Sequence, residues 1–327
     1  MLFLSKKDLE SVLTMRDTIA AVEEAFKELA SGTAVMPTRV GLTVGDRAGW
    51  VGAMPAYLSR ANALTTKIVT SYKNNPSKYG LPTVMAIIVL NDPETGKPEA
   101  VLEGTFITAM RTGAASGVAT KYLARKDAKV VGIFGAGTQA KTQLEAIREV
   151  RNVHSAVVYD IVRDRGERFA EETSRSLGID VRTEDDPEGV VEELDIVVTA
   201  STSKTPVFNG DYLKIGTHVN AIGSFTPDAR ELDDSAVRRS KIVVDSLQAA
   251  LEEAGDLIIP LRSGVIHRSD IHAELGEIVA GLKLGRENDY EITLFKSVGL
   301  GIQDAAAANL AYRKAREAGI GTKIELG

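Results

Sequence analysis

Residues 129–140 read KVVGIFGAGTQA and constrain the fold more than any other stretch. Apart from Lys129, the opening residues are apolar or glycine, which suits a short buried strand. Gly135, Gly137 and Ala140 follow at the spacing G-x-G-x-x-A, and KTQLEAIREV then carries Leu144, Ile147 and Val150 at helical intervals. Strand, tight glycine turn and helix in that order bring a dinucleotide pyrophosphate against backbone N–H groups at a helix N-terminus. Gly135 makes the sharp turn, Gly137 leaves room for the phosphates, and Ala140 lets the helix sit close on the strand.

A glycine triplet alone also fits an ordinary turn in an α/β protein. The surrounding chain argues for more. A second strand, SAVVYD, ends in Asp160, 25 residues after Gly135. A carboxylate there accepts hydrogen bonds from a ribose 2′-hydroxyl and favours NAD, while nearby Arg163 can hold a 2′-phosphate and keeps NADP open. Further short apolar runs follow at 195–200 (DIVVTA), 217–222 (THVNAI) and 241–246 (KIVVDS). From residue 129 to about residue 300, the strand–helix alternation is that of a doubly wound parallel sheet of Rossmann type.

The 327 residues are enough for about two domains. A net charge of −6 argues against general affinity for nucleic acid or an anionic membrane. The chain has no cysteine, which excludes disulfides, thiolate nucleophiles and Cys-ligated metals. MLFLSKKDLE turns charged after four apolar residues, too short a run for a signal peptide, and there is no apolar stretch long enough to span a bilayer. The expected location is the cytoplasm.

The first 104 residues read as α+β. Ser5 and Asp8 mark a helix start, and a longer helix from about Arg16 carries the stripe Ile19, Val22, Phe26 and Leu29 up to Gly32. Residues 38–58 read as a hairpin turning at Gly45-Asp46, 63–72 as a strand, KNNPSKYG as a polar loop, and 83–90 with 99–104 as a second hairpin. A helix over 105–124 leads into the nucleotide domain. Asp186-Pro187 starts another helix that ends near Leu194, and 303–319 reads as a helix stopped by Gly319, able to pack back on the first domain.

Five stretches, PTR (37–39), ALTTKIVT (63–70), MRTGAAS (110–116), FGAGTQA (134–140) and AIGSFTPDARELD (221–233), together resemble the ornithine cyclodeaminase/mu-crystallin family in order and spacing. The resemblance implies a Rossmann domain over 119–302. It also implies an α+β substrate-binding and dimerisation domain made of 1–118 and 303–327, with sheets paired in a homodimer. In such proteins the residues matching Arg39, Lys67 and Arg111 line a site for the carboxylate of an amino or imino acid. Each taken alone reads as a surface or salt-bridge residue, but fixed cations suit that ligand. On the cofactor side, the resemblance places Thr138 and Gln139 at the pyrophosphate beside Gly135 and Gly137, with Asp160 at the ribose. Thr83 and Arg111 would flank the nicotinamide, and Ser201 and Thr202 would edge the adenosine half. Ile222, Gly223, Ser224, Ser297 and Val298 would wall the nicotinamide pocket. For the serines and threonines, strand-end capping is the plain alternative.

One position departs from the family. Cyclodeaminases, and the archaeal alanine dehydrogenase type, carry an Asp two residues before the Pro of the G-x-x-x-P stretch, where this chain has Phe225. A phenyl ring cannot act as a base, which argues against ornithine cyclodeamination. Imine reduction asks less: hold the substrate carboxylate, place the nicotinamide C4 about 3–3.5 Å from the imine carbon, and exclude water. Lys67 can then supply or relay the proton as the catalytic residue, and Phe225 can pack against a cyclic substrate. The expected activity is NAD(P)H-dependent reduction of α-imino acids such as Δ1-pyrroline-2-carboxylate. The alternatives are reductive amination of a small 2-oxo acid, ornithine cyclodeamination, and a non-catalytic mu-crystallin-like binding role. No metal is expected: His154, His218, His267 and His272 lack ligand spacing and read as solvated or core-satisfied.

Overall fold

The structure, a computed structural model, describes residues 1–191 and 193–325. The chain forms two compact units, Met1–Arg111 with Leu300–Gly327, and Thr112–Gly299. The helix Gly104–Leu123 carries the chain from the first to the second.

In the first unit, Ser5 and Asp8 form a reciprocal capping box, and Thr14 caps the helix Met15–Ala30. Ile19, Val22 and Phe26 of the expected stripe are buried, whereas Leu29 is only half-buried. Its neighbour Glu28 is buried instead, because its carboxylate accepts the N–H groups of Arg60 and Ala61, each at 2.9 Å. Val40–Val44 and Gly49–Leu58 pair antiparallel around the single turn Gly45–Arg47, and Ala63–Tyr72, Val84–Asn91 and Pro98–Glu103 continue the sheet. The stretch expected as a polar loop instead forms a short helix, Asn75–Tyr79. Pro76 sets its first turn, and Gly80, in the left-handed region at φ +64°, ends it.

Among the described residues this sheet has eight strands. The terminal strands Leu2–Leu4 and Thr322–Lys323 join one edge beyond Pro98–Glu103, and Ala34–Val35 and Val40–Val44 pair at the other with Gly49–Leu58. Along Ala63–Tyr72 the side chains alternate: Ala63, Thr65, Lys67 and Val69 are buried, while Ile68 faces outward. The helix Gly301–Ala318 packs on the strands Gly49–Leu58 and Ala63–Tyr72. Its buried residues are mostly alanine, which lets it lie close; a Cβ on Gly301 would meet Ala56 Cβ at 3.2 Å.

The second unit holds a sheet of eight strands among the described residues, all parallel. Their order is Asp180–Thr183, Ser155–Tyr159, Val130–Phe134, Ile196–Thr199, His218–Ala221, Ile292–Lys296, Ser240–Val244 and Ile271–Glu274. Both faces are covered. Val131, Ile133, Val158 and Val198 pack with Leu144 and Phe169 on one side, while Phe134, Val157, Val197 and Val219 pack with Leu232 and Leu257 on the other. Burial on both faces is why these strands read as continuous apolar runs. The strand Ile292–Lys296 escapes a sequence reading because Lys296, which is fully buried, looks like a polar break. The helix after Asp186 spans Pro187–Val191, shorter than expected, and part of its expected extension falls on residue 192, outside the described residues.

Candidate active site

The first unit builds a buried ionic cluster. Lys67, from the covered face of its strand, places Nζ 2.6 Å from Oδ2 of Asp304, and both side chains are 1% exposed. Asp304 stands in the first turn of the helix Gly301–Ala318. Its Oδ1 accepts from Nε of Arg111 at 2.9 Å, and Gln303 Oε1 accepts from Nη1 of the same guanidinium at 2.9 Å. One carboxylate thus joins two buried cations. Arg39, half-buried after the strand Ala34–Val35, adds its charge to the same group. Burial first, then the charge of Arg111, pushes the Lys67 ammonium down from 10.5 to about 7, against the pull of Asp304. An amine poised near neutrality suits proton transfer. Thr83, also half-buried, accepts the Tyr72 N–H through its carbonyl at 2.8 Å.

The sequence reading missed Asp304 and Gln303. An acidic residue in the first turn of a helix is accounted for by the helix dipole, so nothing local sets Asp304 apart. The one available signal is that it directly precedes a run of four alanines in GIQDAAAA.

The second unit carries the glycine turn at the point where strand order reverses, between Val130–Phe134 and Ile196–Thr199. Gly135 has φ +103°, donates its N–H to Tyr159 O at 2.8 Å, and leaves no room for a side chain: a Cβ would lie 2.8 Å from Ala200 O. Gly137 is the N-cap of the helix Thr138–Val150 with no side-chain cap, and a Cβ there would meet nothing within 4 Å. No acidic residue occupies that helix's first turn. An open N-terminus with no side-chain cap and no acidic residue in its first turn fits a phosphate. Thr138 is exposed and Gln139 half-buried beside it, while Ala140 is fully buried against the strand.

Asp160 follows the strand Ser155–Tyr159, and its carboxylate accepts the N–H of Ala136 at 2.8 Å and of Val162 at 2.9 Å. It therefore braces the glycine turn. Arg163 is turned to Glu167, at 2.9 Å, and to Asp185. Two carboxylates thus occupy the cation that kept NADP open.

The remaining candidates sit at the carboxyl ends of the strands. Ser201 is half-buried and Thr202 exposed after Ile196–Thr199. Ile222, Gly223 and Ser224 follow His218–Ala221, and Ser297 and Val298 follow Ile292–Lys296. Asp245 Oδ2 accepts the Ser297 hydroxyl at 2.7 Å and the N–H groups of Val298 and Gly299 at 2.8 Å each, so that turn is rigidly held. Phe225 is 43% exposed. His218, by contrast, is fully buried between Thr293 and Asn220, and burial drives its pKa down to about 3, so it is a neutral core residue.

Among the described residues, no helix is long and apolar enough to cross a membrane. The profile of the ornithine cyclodeaminase/mu-crystallin family matches residues 1–319. The structure is similar to that of the Thermococcus litoralis Δ1-pyrroline-2-carboxylate reductase in complex with NADH and L-proline, with a TM-score of 0.97 and 54% identity over 99% of this chain and 100% of that one. An archaeal alanine dehydrogenase dimer with bound NAD aligns with a TM-score of 0.93 and 42% identity, covering 100% of this chain and 99% of that one. A Δ1-pyrroline-2-carboxylate reductase of Bacillus cereus is 41% identical over 326 residues, 99% of this chain and 100% of the relative.

Proposed function

From the premise that the chain belongs to the ornithine cyclodeaminase/mu-crystallin family, we propose that it is an NAD(P)H-dependent oxidoreductase acting on C–N bonds, a reductase of α-imino acids of the Δ1-pyrroline-2-carboxylate kind. The observation that carries this reading is the buried cluster in which Asp304 joins Lys67 to Arg111. Cations fixed in a low-dielectric setting bind a substrate carboxylate strongly. Gln303 Nε2 and Thr65 Oγ1, both buried beside the cluster, have no hydrogen-bond partner among the described residues, which supports a polar ligand there.

The glycine turn, Thr138, Gln139 and Asp160 would hold the dinucleotide, with Ser201, Thr202, Ile222, Gly223, Ser224, Ser297, Val298, Thr83 and Arg111 completing its contacts. Bound there, the reduced nicotinamide supplies the hydride. Arg39 and Arg111 grip the carboxylate, and the Lys67 ammonium gives its proton to the imine nitrogen, so that imine, hydride and proton balance to the amine. Arg163 is held by Glu167 and Asp185, while Asp160 faces Arg165 at 3.7 Å; with the Asp160 carboxylate kept at the strand end, NAD is the favoured form.

The kinship with an NADH- and proline-bound reductase at 54% identity supports the cyclic imine. Reductive amination of a small 2-oxo acid is the second reading, supported by the alanine dehydrogenase at 42% identity. Phe225, where that reaction's proton acceptor would stand, disfavours it. The test is NADH oxidation at 340 nm with Δ1-pyrroline-2-carboxylate, beside pyruvate with ammonia and beside ornithine with NAD. Turnover of the first is expected. Turnover confined to pyruvate with ammonia, or proline formed from ornithine, would overturn the reading.

The working form in this proposal is a homodimer. Val40, Ala53, Ile68 and Ile87 stand opposite one another across four strands, and Val40, Ile68 and Ile87 are exposed. Such an apolar row on an outer sheet face supports a second copy as its cover.

A further inference from the structure

The carboxyl ends of the parallel strands conceal a second set of charges that the proposed reaction does not consume. Glu231 is fully buried. Its Oε1 accepts the Ser201 N–H at 2.6 Å. Its Oε2 accepts the Thr199 hydroxyl at 2.9 Å, the Gly223 N–H at 2.8 Å and the Ser224 N–H at 3.2 Å. One side chain therefore ties the loop after Ile196–Thr199 to the loop after His218–Ala221. All four partners are donors, so the surroundings are built for an acceptor, even though burial and then the charge of Asp256 push the Glu231 pKa up.

The two loops and this carboxylate are in tight contact. A Cβ on Gly223 would lie 2.4 Å from Ser201 O and 2.5 Å from Glu231 Oε1, so the spacing leaves no slack. Behind them, Asp256 Oδ1 accepts the N–H groups of Glu231 at 2.6 Å and Leu232 at 2.9 Å, and its Oδ2 pairs with Lys296 at 2.7 Å. Lys296 also donates to Ser224 O at 2.6 Å. Asp256 and Lys296 are fully buried too. Apolar side chains of similar volume often stabilise a core as well as buried charges do. They cannot hold four donors in two loops at once.

We propose that Glu231 is a positioning residue for the dinucleotide: through Ser201 it sets the loop at the adenosine half, and through Gly223 and Ser224 the loop at the nicotinamide half. Lys296, paired with Asp256, braces the nicotinamide side through Ser224 O, while Asp256 holds the backbone N–H groups of Glu231 and Leu232. The inference rests on the dinucleotide reading above, and the test separates the two. NADH and ADP-ribose, which lacks the nicotinamide, are titrated into the full-length protein while tryptophan fluorescence or heat is followed.

In Glu231→Gln, the amide oxygen can serve the three donors on the Oε2 side, leaving the amide NH₂ facing the Ser201 N–H. NADH and ADP-ribose should both bind about tenfold more weakly, equivalent to about 1.4 kcal/mol. In the double variant Asp256→Asn with Lys296→Met, the asparagine oxygen keeps both backbone bonds while the charge pair and the grip on Ser224 O are lost. There NADH should weaken about tenfold and ADP-ribose by less than about twofold. If Glu231→Gln does not fold, Glu231→Asp replaces it: the charge stays but the shorter arm reaches one loop only, and NADH affinity should still fall. A general loss of stability would not divide the two ligands. Variants that bind both ligands like the wild type overturn this inference alone. A wild type that binds neither overturns it together with the dinucleotide reading.

Discussion

Asp304→Asn is the sharpest test of the ionic cluster. The asparagine oxygen can still accept from Arg111 Nε, which the native Oδ1 meets at 2.9 Å. Its NH₂ then faces Lys67 where a carboxylate oxygen stood 2.6 Å away. At that distance the lost attraction is about 6 kcal/mol for an effective dielectric constant of about 20, an upper bound before the site relaxes. Removing an opposite charge this close ordinarily moves a pKa by about 1–3 units. Lys67, held at about 7 by burial, Arg111 and Arg39 against Asp304, loses the one group that favours its charged form. Its pKa should fall by about 2 units.

The assay is kcat/KM for Δ1-pyrroline-2-carboxylate reduction from pH 5 to pH 9, taken as the ratio of variant to wild type so that the titration of the substrate cancels. The wild-type rate should decline above about pH 7, where Lys67 gives up its proton. The variant should decline from about pH 5, giving a deficit of about a hundredfold at pH 8 that shrinks towards pH 5. Asp304→Glu, which restores the charge, should return the limb towards neutrality. A deficit of equal size at every pH would refute the reasoning, because Asp304 would then be shaping the site without setting the charge of Lys67.

Three further outcomes follow from the same structure. Gly137→Val should weaken NADH at least about tenfold with little change in Tm, because the side chain enters the open cradle at an unstrained φ of −94°; NADH titration with parallel melting checks it. Lys67 has a folded-state pKa of about 7, below its unfolded value of 10.5, so the unfolded chain holds more protons between those limits and Lys67's contribution to stability rises with pH across them. Urea denaturation at pH 7 and pH 9 should show that rise reduced in Lys67→Met. Ile68→Lys with Ile87→Lys places charges on the exposed apolar row and should convert a dimer to a monomer in size-exclusion chromatography with light scattering, without unfolding the sheet.

Where chemistry depends on neighbours in sequence, the chain is legible by itself. The glycine turn, its strand and its helix are set by local sterics and period, and the structure has all three at their expected places. The hairpins, the strand over residues 63–72 and the helix start marked by Ser5 and Asp8 belong to the same class, although the inward face of Lys67 and the outward face of Ile68 do not follow from their polarity. Residues whose role comes from distant partners were opaque. Asp304 lies 237 positions beyond Lys67 (304 − 67), and in the sequence it is only an acidic residue opening an alanine-rich helix. Nothing in the sequence marks Glu231, Asp256 and Lys296 as buried, because a string of letters carries no burial, and Lys296 even masked the strand that holds it. Local geometry thus specified the phosphate turn, whereas the pairing of buried charges was decided only by tertiary packing, since the cost of burying an ion is met by partners that the fold brings from elsewhere in the chain.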